Sequence, residues 1–223
     1  MILKFSFDDN HALNMKVADL LEKYGFRATF FINIIPLKNH VGMKPEQIKF
    51  LHSQGHEVAA HTYSHTPLPG TCDSKVRFEL NAGKDALEEL IGSKVDGFSY
   101  PKGQFTKKVK RKTVTAGYQY ARAVGEGNLN PDRDPFAIIP TVQIYNSPLR
   151  RYLRIKRNIL EGTKFSWTGD WKKSCMNYIK NNKGTVHIWG HSWEIEKQGR
   201  WDEFEDLLKW IKDNSGIHNE RRV

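Results

Sequence analysis

Two short stretches of this 223-residue chain hold residue types that can do chemistry together. The first, Phe5-Ser6-Phe7-Asp8-Asp9-Asn10, puts two adjacent carboxylates at the end of an apolar run. The second, Gly55-His56-Glu57-Val58-Ala59-Ala60-His61-Thr62-Tyr63-Ser64-His65, puts His61 and His65 four residues apart. Two neutral imidazoles and one carboxylate make a three-ligand set with an open position, as in a catalytic zinc site. That leaves one acid over. Neighbouring strand residues point to opposite faces, so two adjacent Asp side chains cannot easily do one job; one can ligate while the other faces substrate. Each stretch has a bland reading: a strand-ending turn for the acids, and two unrelated histidines for the pair. Their joint occurrence, each after an apolar strand, favours the metal set.

These side chains need elements to carry them. Residues 1–7 read as a buried strand, and residues 11–24 as a helix capped by Gly25. Residues 27–35 form a continuous apolar run, expected of a buried parallel strand. A helix over 45–54 and a strand over 57–60 complete a β-α-β-α-β order, which argues for parallel strands with crossover helices. Further strands are expected at 97–100, 118–123, 136–139 and 185–189. Further helices are expected at 76–91, 109–116, 147–161 (basic) and 201–212. The tail from Asn214 is polar and expected to fray. Residues 1–213 read as one catalytic domain, with residues 214–223 as that tail.

The quoted motifs carry a resemblance. The chain resembles the polysaccharide deacetylase family, the NodB-homology domain of carbohydrate esterase family 4. Ser6-Phe7-Asp8-Asp9 is similar to that family's first motif, and Gly55-His56-Glu57 with His61-Thr62-Tyr63-Ser64-His65 to its second. Phe98-Ser99-Tyr100-Pro101-Lys102-Gly103 resembles the third motif in its Tyr-Pro-x-Gly variant. Asp170-Trp171 is in the order of the fourth, and His191-Ser192 fits the fifth. The resemblance implies a distorted (β/α) barrel of about seven parallel strands. It implies Asp9, His61 and His65 as ligands of a divalent metal, zinc first, with Asp8 as base and His191 as general acid. It further implies an oxyanion contact from the backbone at Tyr100 or its neighbours beside Pro101, and Trp171 lining the groove. The implied reaction is hydrolysis of an acetamide on an N-acetylated glycan or amino sugar, releasing acetate.

Two departures stand out. The third motif lacks the arginine that orients the base, and Arg122, at the end of the strand over 118–123, is the candidate replacement. Asn10 stands where the family has glycine, a mild change because Asn tolerates left-handed backbone. His187 competes with His191 but lies inside the strand, where a core role is expected. Two rival functions remain open: the same fold hydrolysing a ureide-like amide, or an inactive glycan-binding relative.

Composition sets the bounds. Length and a 39 % hydrophobic content suit one domain with a sizeable core. No apolar run is long enough for a membrane helix, and no leader precedes the first motif, so a cytoplasmic location is expected, with a secreted form trimmed of its leader as the alternative. Lys plus Arg exceed Asp plus Glu by ten. The excess is spread along the chain, so nucleic acid is not the expected partner, and residues 107–112 and 150–157 read first as solvated helix faces. Cys72 and Cys175 are far apart and give no disulfide framework.

Overall fold

The computed structural model describes residues 1–126, 134–144, 170–181, 183–214 and 216–220. Strand β1 (Ile2–Asp8) runs through the middle of a curled, wholly parallel sheet. The order is β5 (Tyr120–Arg122), β4 (Gly97–Ser99), β3 (Glu57–Ala60), β2 (Thr29–Ile32), β1, β7 (Thr185–Gly190), β6 (Val142–Gln143). Seven parallel strands thus form an α/β half-barrel. An eighth, β8 (His218–Glu220), pairs with the start of β1.

The alternation within β1 explains both faces. Leu3, Phe5 and Phe7 are fully buried in the main apolar cluster, with Val17, Leu21 and Phe204 of the surrounding helices. Ser6 and Asp8 bond instead to His187 and Arg122. Helices α1 (Asn14–Tyr24), α2 (Pro45–Ser53), α3 (Asp73–Ile91) and α4 (Lys107–Thr115) cross over between the first five strands. The left-handed Gly25 (φ 77°) closes α1, its N–H returning to the Leu21 and Glu22 carbonyls. Beyond the middle of the chain lie α5 (Trp171–Asn181), α6 (Ser192–Lys197) and α7 (Trp201–Asp213). Among the described residues no helix is long and apolar enough to cross a membrane.

Three expectations are corrected. The strand expected at 136–139 is a single bridge, Ile138 to Arg122, and the ladder resumes at β6. Pro135 and Pro140 flank that stretch, and proline cannot donate to a ladder. The polar tail does not fray throughout. His218–Glu220 pair with Ile2–Lys4, and the Asn219 side chain accepts from Arg27 N–H and donates to the Leu3 and Arg27 carbonyls. The left-handed residue in the first loop is Asp9 (φ 75°), not Asn10. The expected basic helix over 147–161 lies outside the described residues. Lys108 and Lys112 of α4 face Asp73, and Lys110 faces Asp134. Cys72 is exposed and Cys175 buried, and no disulfide joins them.

Candidate metal and acid–base centre

Parallel strands bring their carboxyl ends to one rim, and the chemical residues sit there. Asp8 ends β1, His61 follows β3, Ser99 ends β4, Arg122 ends β5 and His191 follows β7. The turns just beyond the strands hold unusual backbone: Asp9, Thr62 and His65 all have positive φ (75°, 64°, 56°). Such conformations cost about 1–3 kcal/mol each in non-glycine residues, and they concentrate where geometry serves a site. His61 and His65 therefore meet across a tight loop and not along a helix face.

Asp9, His61 and His65 each present one ligand atom, and these lie within 4.8 Å of one another. Asp9 Oδ1 is 3.8 Å from His61 Nε2 and 3.4 Å from His65 Nε2. It is buried and has no hydrogen-bond partner among the described residues. A buried carboxylate oxygen in that condition is costly unless something positive meets it. The histidines are prepared for the same partner. His61 Nδ1 donates to the Ser99 carbonyl at 2.7 Å, which leaves the lone pair on Nε2. Burial, reinforced by His61, pushes His65 down to about 4 and keeps it neutral. The set fits a divalent cation.

Asp8 points the other way. Its carboxylate meets the Arg122 guanidinium, and Ser99 Oγ reaches its second oxygen at 3.4 Å. Arg122 is fully buried, lies over the Phe31 and Trp189 rings at 5.0 and 4.7 Å, and also donates to Ser99 Oγ and the Ala123 carbonyl. Burial would raise Asp8, but the Arg122 charge, helped by His61 and His191, outweighs it and holds the carboxyl below the usual range. Arg122, from the next strand, thus supplies a guanidinium to Asp8.

On the opposite wall His191 Nδ1 pairs with Glu194 at 2.7 Å, while Nε2 lies 3.9 Å from Asp9 Oδ2. Burial disfavours its charge, but the Glu194 hydrogen bond and charge, with Asp9 and Asp8, push it up to about 9. Gln143 Nε2 braces the same Glu194 oxygen at 3.3 Å. His187 sits deeper, bonded to Ser6 Oγ at 2.7 Å and held well below the usual histidine range by burial.

Two expected contacts do not form. Tyr100 is fully buried and its N–H donates to the Arg122 carbonyl at 2.9 Å, so it offers no oxyanion donor; Pro101 carries no N–H at all. Trp171 is wholly buried in the apolar core and does not line an open groove. Sequence reasoning did not give Glu194, Trp193 and Ser99 the partners they have in the fold, His191, Asp9 and Asp8. The i, i+3 spacing from His191 to Glu194 was a usable signal for the first, once 192–197 is taken as helical.

The site is thus a two-histidine, one-carboxylate set beside an acid and a histidine at the strand ends of an α/β half-barrel. The polysaccharide deacetylase family model matches residues 2–121, and the chain belongs to that family. Curated relatives include a peptidoglycan-N-acetylglucosamine deacetylase of Bacillus cereus, 29 % identical over 120 residues, covering 53 % of this chain and 54 % of the relative. The peptidoglycan-N-acetylmuramic acid deacetylase PdaA of Bacillus subtilis is 27 % identical, covering 47 % and 38 %. The chain spans about half the length of the curated relatives it matches. Among solved structures, a family 4 carbohydrate esterase from Streptomyces lividans in complex with acetate aligns with TM-score 0.63 at 14 % identity, covering 98 % of this chain and 91 % of that one. A family 4 acetyl xylan esterase from Clostridium thermocellum in complex with a cobalt ion gives 0.60 at 15 %, covering 99 % and 87 %. These last likenesses are of fold.

Proposed function

We propose that the chain is a metal-dependent hydrolase that removes N-acetyl groups from an N-acetylated glycan and releases acetate. The observation that carries this reading is the buried Asp9 Oδ1, facing two imidazole nitrogens, with an acid on one side and a charged histidine on the other. Asp9, His61 and His65 would hold a divalent ion, and the mixed nitrogen and oxygen donors suit zinc. When bound, it supplies Lewis acidity toward an amide carbonyl and toward water.

The chain's own groups do the proton work. Asp8 accepts the proton of the attacking water, kept ionised for this by Arg122. Arg122 and Ser99 fix the carboxylate, so the base is oriented before substrate arrives. His191 carries a proton at neutral pH and donates it to the departing amine. An amide requires that step, since an amine anion is a very poor leaving group. Glu194 keeps the imidazole charged and directs it through Nδ1.

Two relatives are named for N-acetylglucosamine and N-acetylmuramic acid of peptidoglycan, so those are the first sugars to offer. Acetate release from N-acetylglucosamine oligomers is measured with and without a chelator, for wild type and Asp8→Asn. Chelation is expected to stop turnover and added zinc to restore it. Asp8→Asn is expected to lower kcat by about 10²–10⁴-fold, the usual share of a general base, with the metal retained. Turnover of small ureide-like amides but not of any sugar oligomer would overturn the glycan reading.

A further inference from the structure

We propose that Trp193 is a positioning residue that makes Asp9 a one-oxygen ligand, by occupying its second carboxylate oxygen with the indole N–H. The proposal rests on the metal reading above and goes beyond it, to how the protein sets the ligand.

The two oxygens of Asp9 have different surroundings. Oδ1 faces His61 Nε2 and His65 Nε2 and accepts no hydrogen bond from the described residues. Oδ2 accepts from Trp193 Nε1 at 3.0 Å; His191 Nε2, at 3.9 Å, is beyond hydrogen-bond reach. A free carboxylate can ligate through either oxygen or both. A donor held on Oδ2 engages one of its lone pairs and fixes the carboxylate plane, which favours Oδ1 as the ligand atom. The indole is suited to this because its N–H only donates. A histidine in the same place would itself be a ligand.

The surrounding structure holds both partners still. The Trp193 ring lies 5.2 Å from the His40 ring and 5.2 Å from the His191 ring. Asn14 ties the two sides together: its Nδ2 donates to the Asp9 carbonyl at 2.9 Å, and its Oδ1 accepts from Ser192 Oγ at 2.6 Å. One buried amide thus fixes the Asp9 main chain and the helix start that carries Trp193. Groups that orient metal ligands are worth about 10–100-fold in metal affinity.

The test titrates zinc into metal-free wild type and Trp193→Phe by calorimetry, and records the visible spectrum of each protein loaded with cobalt(II). Trp193→Phe is expected to bind zinc about 10–100-fold more weakly and to shift the cobalt bands, because Asp9 is then free to ligate through both oxygens. Equal affinity with an unchanged cobalt spectrum overturns the proposal. Should that variant fail to fold, ¹⁵N-labelled wild type carries the test. The Trp193 indole signal is expected to move on adding zinc, while that of Trp189, which donates to the Gly125 carbonyl, serves as reference. An unmoved Trp193 signal overturns the proposal. Wild type that takes up no stoichiometric divalent ion overturns the metal reading, and this proposal with it.

Discussion

On the proposed reading, Arg122 decides whether Asp8 can work as a base. It is fully buried, and its hydrogen bonds reach Asp8, Ser99 and the Ala123 carbonyl. Removing one partner of a buried ion pair strands the other, at a cost of about 3–5 kcal/mol. Arg122→Ala is therefore expected to lose most acetate release and to unfold at lower urea. Arg122→Lys keeps the charge but not the planar fork, so it is expected to recover stability better than kcat. If Arg122→Ala retains full turnover, the orienting role is wrong. At this scale the sequence was informative where residue type and strand end coincide, as at Asp8, His61, Arg122 and His191. It did not reveal the partners of Glu194 and Trp193. A one- to two-turn helix has too little periodicity to reveal which face it presents, and a Trp near a histidine is usually core. Tyr100 misled for a related reason: a motif names the residue but not the partner of its N–H, here the Arg122 carbonyl.

The elements were legible wherever apolar periodicity was long. The patterning of β1 and β3 gave strands close to their observed bounds, because buried parallel strands leave few polar positions to blur them, whereas only Thr29–Ile32 of the run over 27–35 is strand. The last strands were less so. β6 is two residues long and β8 three, below any period that a sequence can show. β8 is held by what it touches: Asn219 accepts from Arg27 N–H at 2.6 Å and donates to the Leu3 and Arg27 carbonyls at 3.1 and 3.2 Å. That side chain stitches the starts of β1 and β2 to the chain's end. With each intramolecular hydrogen bond worth about 1 kcal/mol net, Asn219→Ala is expected to cost about 2–3 kcal/mol in urea unfolding. The candidate site lies at the other end of these strands, so kcat of the folded variant is expected to be unchanged. A variant as stable as wild type would mean that β8 is decoration on the sheet.

The whole molecule keeps part of its histidine complement neutral, and this sets how it answers to acid. His56 is almost fully buried beside the Phe30 ring, and its Nδ1 accepts from the Ala28 N–H. Burial, with Arg27 adding repulsion, pushes it down to about 4. His52, Glu57 and Lys94 line the same recess. Unfolded, a histidine titrates near its ordinary value, about 6.5. Between those two values the unfolded chain binds a proton that the folded chain refuses, so stability falls as pH falls through that window. Above about 6.5 the full contribution is present, and below about 4 no more is lost. The loss across the window is about 3 kcal/mol for this one group, at roughly 1.4 kcal/mol per pH unit. His187, also held low by burial, acts in the same sense. Acid adds further strain, because protonating carboxylates and histidines raises the charge of a chain that already carries a surplus of ten. Urea unfolding of wild type and His56→Gln at pH 7.5 and pH 4 reads the effect. Wild type is expected to lose about 3 kcal/mol more than the variant over that interval. Equal losses would show that His56 takes up its proton in the fold as readily as in the open chain, and that its burial does not govern the acid limit.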